Sequence, residues 1–349
     1  MLTQNAITLL QDLIQIESFS KKESGTAQRL EHWFEEYKIP FQRKDNNLWA
    51  VNKAFDSKKP TLLLNSHHDT VLPNLAYTRD PFAADLVDGK LYGLGSNDAG
   101  GALVSLLALF THYYDHTDPA YNLLFVASAE EEIAGEKSLR NLLPDLPKID
   151  LAIVGEPTLM HLAIAEKGLV VFDVVIKGTP SHAAHPNTDN PLMKLPEIIK
   201  KIENLSFEKV SPVLGPVKVT LTQVEAGSQH NVVPSEVQLV LDVRVNECYT
   251  NTEIKERIQA ALPCEVTPRS LRLQSSSIDE NHPLVQAGKK LRRNVYGSPT
   301  LSDQAALSCP SLKLGPGDST RSHSADEYIY VSEIEEGIAL YIELVKQIL

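Results

Sequence analysis

Residues 61–69 read TLLLNSHHD, a short apolar run that stops at two histidines and an aspartate. A run this short, with no polar alternation, fits a strand buried on both faces of a sheet. NLLFVAS at 122–128 and LAIV at 151–154 have the same texture. Between the first two runs lies GSNDAGGALVSLLALFTHYY (95–114), where Ala102, Leu103, Leu106, Leu107 and Phe110 recur at helical spacing. Buried strands alternating with a buried helix predict an α/β layer: a mixed, largely parallel sheet flanked by helices.

Outward from this block, MLTQNAITLLQDLIQIES opens without a basic stretch and reads as an amphipathic helix rather than a signal peptide. From about Leu169 the texture changes. VVFDVVIKG is β-rich, 191–205 is helical, 217–224 is extended, and in EVQLVLDVRV (236–245) the residues Val237, Leu239, Leu241, Val243 and Val245 fall on every second position, with Val240 out of phase. That is the pattern of an antiparallel strand with one wet face, and the segment predicts a small α+β domain. After QSSS (274–277) the helical pattern resumes, with Pro283 opening a helix expected to run from Leu284 to Val295 and a last helix over 332–349. The expected organisation is one discontinuous α/β domain, 1–167 and 276–349, interrupted by an insertion over 168–275.

Thirty-three basic residues against 45 acidic give a net charge of −12, a field that repels nucleic acid and anionic lipid. Three cysteines, Cys248, Cys264 and Cys309, allow no full pairing and no CxxC metal knuckle. No apolar run reaches the ~20 residues of a membrane span, so a cytoplasmic protein with reduced thiols is expected.

The polar residues directly after the buried strands carry the chemistry, because open α/β sheets bind ligands at that edge. His67 offers an imidazole to a cation, and a carboxylate two residues on, Asp69, is placed to hold its other ring nitrogen. Asp98 occupies the position of the third glycine in a dinucleotide loop, where its charge would repel a pyrophosphate; it also suits a helix cap. Glu130, Glu131 and Glu132 crowd three carboxylates onto one strand end, as either a solvated turn or a cation site. Glu156 follows the third strand, and His323 lies in the Gly/Pro-rich GPGDSTRSHSADEY. Mixed imidazole and carboxylate ligands suit zinc, and two such ions sharing a carboxylate form a hydrolytic arrangement. His112 and His116 share a helical face but lack the glutamate of H-E-x-x-H, and no nucleophile elbow or phosphate loop is present.

At NSHHDTV (65–71), GLGSNDAGG (93–101), ASAEEEIAG (127–135), VGEPT (154–158), PSHAAHP (180–186), NVVPSEVQLVLDVR (231–244) and GPGDSTRSHSADEY (315–328) the sequence resembles the dinuclear-zinc amidohydrolase and peptidase family of acetylornithine deacetylase, succinyl-diaminopimelate desuccinylase, aminoacylase and carboxypeptidase G. The resemblance implies a zinc-peptidase-like catalytic domain with an inserted ferredoxin-like dimerisation or lid domain. It implies two divalent ions, zinc first with cobalt or manganese compatible. His67 and Glu156 would hold one, Glu132 and His323 the other, with Asp98 bridging. Asp69 would orient His67 and Glu131 would be the general base. His182 would donate to the developing oxyanion from a partner subunit of a homodimer. Asn231 and Arg244 would contact the substrate, while His185 and His230 receive no role.

His68 stands where many relatives have Thr, and Glu130 where many have Asp. The loops look most like the acetylornithine deacetylase branch, so the expected substrate is N2-acetyl- or N2-succinyl-ornithine. Succinyl-diaminopimelate desuccinylase or a dipeptidase is the alternative within the family, and a non-catalytic metal-binding module the alternative outside it.

Overall fold

A computed structural model describes residues 1–349 and divides them into two compact units. Unit 1 comprises Met1–Ile164, Ser277–Tyr296 and Ser302–Leu349; unit 2 comprises Ala165–Ser276 and Gly297–Leu301. Beyond the insertion anticipated at 168–275, unit 2 therefore also takes five residues, 297–301, from the returning chain.

Unit 1 is built on a mixed sheet whose centre is parallel. In spatial order, Asn122–Ser128, Thr61–His67, Leu151–Val154 and Ser311–Lys313 run in one direction. Asn47–Val51 pairs antiparallel outside them. All residues of the first three parallel strands are buried, which is why their sequences show no alternation. The helix Gly101–Tyr113 is covered on every side as far as Phe110 and packs against Leu2–Ile14 and Val331–Lys346. Helices of the two chain ends thus close over one that is apolar all round. No helix is long and apolar enough to cross a membrane.

Two expectations need correction. The helix that starts at Pro283 ends at Lys290, short of Val295. Arg292 takes a left-handed backbone (φ 60°) and Val295–Ser298 become a strand, because the β-branched and aromatic residues there favour extended backbone. Asp98, read as suited to cap the buried helix, lies instead in a wide turn over Ser96–Gly100, in which Asp98 and Ala99 leave helical backbone. Asp98 is therefore no N-cap of the following helix, since the residue at that position is Gly100.

Unit 2 has the chain order strand, helix, strand, strand, helix, strand. Gly168–Lys177 and Glu236–Val245 are the central pair, Lys218–Glu225 and Glu265–Pro268 the outer ones, and all three pairings are antiparallel. Val170, Phe172, Val174 and Ile176 join Val237, Leu239, Leu241 and Val243 in a core with Ile198 and Ile202 of the helix Pro191–Glu203 and Ile254 and Ile258 of Asn251–Ala261. Val240 faces away, as its phase predicted. The three cysteines are free.

Candidate metal centre

The carboxyl ends of the parallel strands gather the charged residues of unit 1. His67 is the last residue of its strand, Glu131 and Glu132 follow the strand ending at Ser128, and Glu156 follows the strand ending at Val154. Adjacent residues of a strand face opposite ways, so Glu131 and Glu132 can share a site only once the strand has ended. The left-handed backbone of Glu130 (φ 54°) makes that break.

His67 is 1% exposed, and its Nε2 lies 3.5 Å from Asp98 Oδ1, 3.9 Å from Glu156 Oε1 and 4.0 Å from Glu131 Oε2. Asp98 turns its other oxygen toward His323 Nε2 at 3.7 Å, and that nitrogen is 3.0 Å from Glu132 Oε2. Two groups of donor atoms compact enough for a cation emerge: His67, Glu131 and Glu156, and His67, Asp98 and Glu132. The expected ligands of unit 1 therefore converge, with Glu131 as close to His67 as Glu156 is.

The electrostatics record the crowding. Burial raises the Glu131 carboxyl well above its ordinary range against the pull of His67, and it raises Glu156 to about 8. Burial opposes a charge on His67, yet the carboxylates of Asp69 and Asp98 win and raise it well above the usual imidazole value. The hydrogen bond to Glu132 raises His323 to about 9. Asp98 is pulled below the usual carboxylate range despite its burial, because His67 faces it. So many carboxyl groups crowded around two imidazoles can ionise together only if more positive charge than the protein supplies is brought in.

Asp69 faces both His67 and the glutamate loop. The His67 Nδ1–H donates to the main-chain carbonyl of Asp69 at 3.0 Å, while the Asp69 carboxylate stands 3.5 Å off. That carboxylate accepts the amides of Glu131 (3.0 Å) and Glu132 (3.2 Å) and the Ser20 hydroxyl (2.7 Å). It therefore shapes the glutamate loop as well as facing the imidazole.

Of the other expected residues, His68 turns into the protein, bonding Thr26 Oγ1 at 2.8 Å and the Asn46 carbonyl at 2.9 Å, and burial lowers its pKa to about 4. His182, Asn231 and Arg244 belong to unit 2. His182 is exposed on a two-residue strand, and the neighbouring Ala183 amide bonds the Asn231 carbonyl at 2.9 Å. The Arg244 guanidinium is forked onto Asp242 at 2.9 and 3.1 Å. His182 and His185 rings are 5.7 Å apart.

Sequence reasoning missed two buried acids beside the cluster. Asp303 accepts the Ser128 hydroxyl, and burial raises its carboxyl to about 6. Glu327 accepts the amides of Gly95, Asn97 and Asp98. Asp303 follows Ser302, whose side chain caps its short helix, and looked like ordinary loop polarity; Glu327 sits beside YIY with nothing in the sequence to mark a distant partner.

The sequence profile of Peptidase family M20/M25/M40 matches residues 63–347. Succinyl-diaminopimelate desuccinylase of Rhodospirillum centenum is 25% identical over 372 aligned positions, spanning 96% of this chain and 95% of its own. The protein of the same name from Rickettsia rickettsii is 25% identical, spanning 98% of this chain and 100% of its own. Among solved structures, an M20 family metallo-carboxypeptidase from Sulfolobus solfataricus superposes with a TM-score of 0.76 at 17% identity, covering 98% of each chain. A dinuclear metal-binding M20 peptidase from Bacillus subtilis gives 0.74 at 18% identity, covering 99% of this chain and 97% of its own.

Proposed function

The chain belongs to peptidase family M20/M25/M40, and from that premise we propose that it uses two divalent metal ions to hydrolyse the amide bond of a small N-acyl amino acid. The observation that carries the reading is the two-sided placement of Asp98, one oxygen facing His67 and the other facing His323. That is what a bridging carboxylate requires. We assign His67 and Glu156 to one cation, Glu132 and His323 to the other, and Asp98 to both. Nitrogen and carboxylate donors of this kind fit zinc, and cobalt or manganese as well.

When bound, the cations supply the positive charge that acidifies water and polarises a carbonyl. Glu131 is the general base in this reading. Its carboxyl is held buried within 4.0 Å of His67, and burial strengthens it as a base. It takes the proton of the attacking water as the new C–O bond forms, then passes that proton to the amine as the C–N bond breaks. Asp69 keeps Glu131 and Glu132 in place through their amides. His182 is assigned to donate to the developing oxyanion from a partner subunit, with unit 2 as a ferredoxin-like dimerisation domain; its strand and helix order supports that label. Asn231 and Arg244 are assigned to the substrate, Arg244 gripping a carboxylate once released from Asp242.

N-succinyl-diaminopimelate heads the substrate order because the named relatives span the full chain. N2-acetyl- and N2-succinyl-ornithine follow, on the likeness of the 154–158 and 315–328 loops to acetylornithine deacetylase. Measured kcat/KM on these three, acetylcitrulline and a set of dipeptides, with metal content determined on the same preparation, tests the reading. Cleavage of dipeptides with no acyl-amino acid turned over would overturn it.

A further inference from the structure

The glycine-rich loop 93–101 has the backbone of an anion cradle, and the chain fills it with a carboxylate of its own. Gly95 N–H donates to Glu327 Oε2 at 3.0 Å, and the N–H groups of Asn97 and Asp98 both donate to Oε1 at 2.9 Å. The Gly93 amide takes the Glu327 main-chain carbonyl at 2.9 Å. Successive amides converging on one anion are the geometry that binds phosphate elsewhere; here the guest is covalently part of the protein and 2% exposed. Gly95 holds a left-handed backbone (φ 75°), and a side chain there would meet Thr70 Cγ2 at 2.6 Å, so the cradle is shaped around a glycine.

A second tie joins the same two segments. The Asn97 side chain accepts the Asp318 amide through Oδ1 and donates to the Asp318 carbonyl through Nδ2, both at 3.0 Å. Residues 95–98, which end in Asp98, are thereby gripped at both ends of the 318–327 segment that presents His323. The amide of Asp98 itself is one of the bonded groups, which leaves its main chain little freedom. Holding Asp98 beside Glu131, Glu132 and Glu156 is costly, and the hydrogen bonds that the Glu327 carboxyl accepts from the 95–98 amides fix its main chain there before any cation arrives.

We propose that Glu327 is a positioning residue for the cation-bridging carboxylate: by locking the amides of residues 95–98 to the His323 segment, it presets Asp98 between His67 and His323. This rests on the metal-centre reading above, and its test separates the two. The first arm uses the unaltered protein. Hydrogen exchange of the Gly95, Asn97 and Asp98 amides should be slow after exhaustive chelation and change little when zinc is restored; free exchange that is suppressed only by zinc overturns the proposal.

The second arm titrates cobalt into the parent, Glu327→Gln and Glu327→Asp, following the visible absorption of the bound ion, with elemental analysis of dialysed samples. Glu327→Gln should bind about 10- to 100-fold more weakly, with an altered absorption band, and Glu327→Asp, which keeps both acceptor oxygens, should recover part of the loss. Both variants binding two ions within about twofold of the parent, where 10-fold or more is expected, overturns the proposal. Loss of the fold in a variant leaves the decision to the exchange measurement. A parent that takes up no cation overturns the metal reading, a distinct result.

Discussion

The carboxylate whose removal should be most informative is Glu131. Glu131→Gln keeps the size and the Asp69-held amide but loses the basic oxygen, so kcat should fall by about 10²–10⁴-fold while elemental analysis still finds the cations. Glu156 and His323, at about 8 and about 9, both carry a proton at neutral pH, and a cation can bind only their deprotonated forms. Zinc binding at neutral pH should therefore release protons, read by calorimetry as an enthalpy that depends on buffer ionisation, and affinity should rise with pH until both groups have titrated. His182→Ala should lower kcat by about 10²–10³-fold with KM little changed, checked by steady-state kinetics on the best substrate of the panel. At this scale the sequence was legible wherever a charged residue follows a buried strand, as with His67, Glu131, Glu132 and Glu156. Asp303 and Glu327 escaped because what makes each unusual is a partner far away in the chain, Ser128 for one and the 95–98 amides for the other.

Among the elements, the helix Gly101–Tyr113 is the one on which the site stands, since it follows directly from the Asp98 turn and packs on the Thr61–His67 strand. Leu106 within it is fully buried, and Leu106→Ala should cost about 2–5 kcal/mol, measured by denaturant unfolding followed through the buried Trp33 and Trp49. The buried strands and this helix could be read from apolar runs because burial on all sides leaves no other pattern. The early end of Pro283–Lys290 could not, since periodicity continued past the point where Arg292 turns left-handed. The turn at Ser96–Gly100 was hidden for a different reason. Its shape is set by Glu327, a residue outside the local window.

For the molecule as a whole, the centre is assembled from chain segments that precede the insertion and one that follows it. Chelation should abolish turnover, and zinc at about 100 times its dissociation constant should stabilise the fold by about 2.7 kcal/mol, seen as a raised unfolding midpoint. The order of these segments also bears on biosynthesis. His67, Asp98, Glu132 and Glu156 are translated before Ala165–Ser276, whereas His323 and its Glu327 anchor emerge only after that unit has been made. A nascent polypeptide on the ribosome thus carries an acidic nest facing His67 alone for as long as unit 2 takes to be synthesised, and His323 joins it only afterwards.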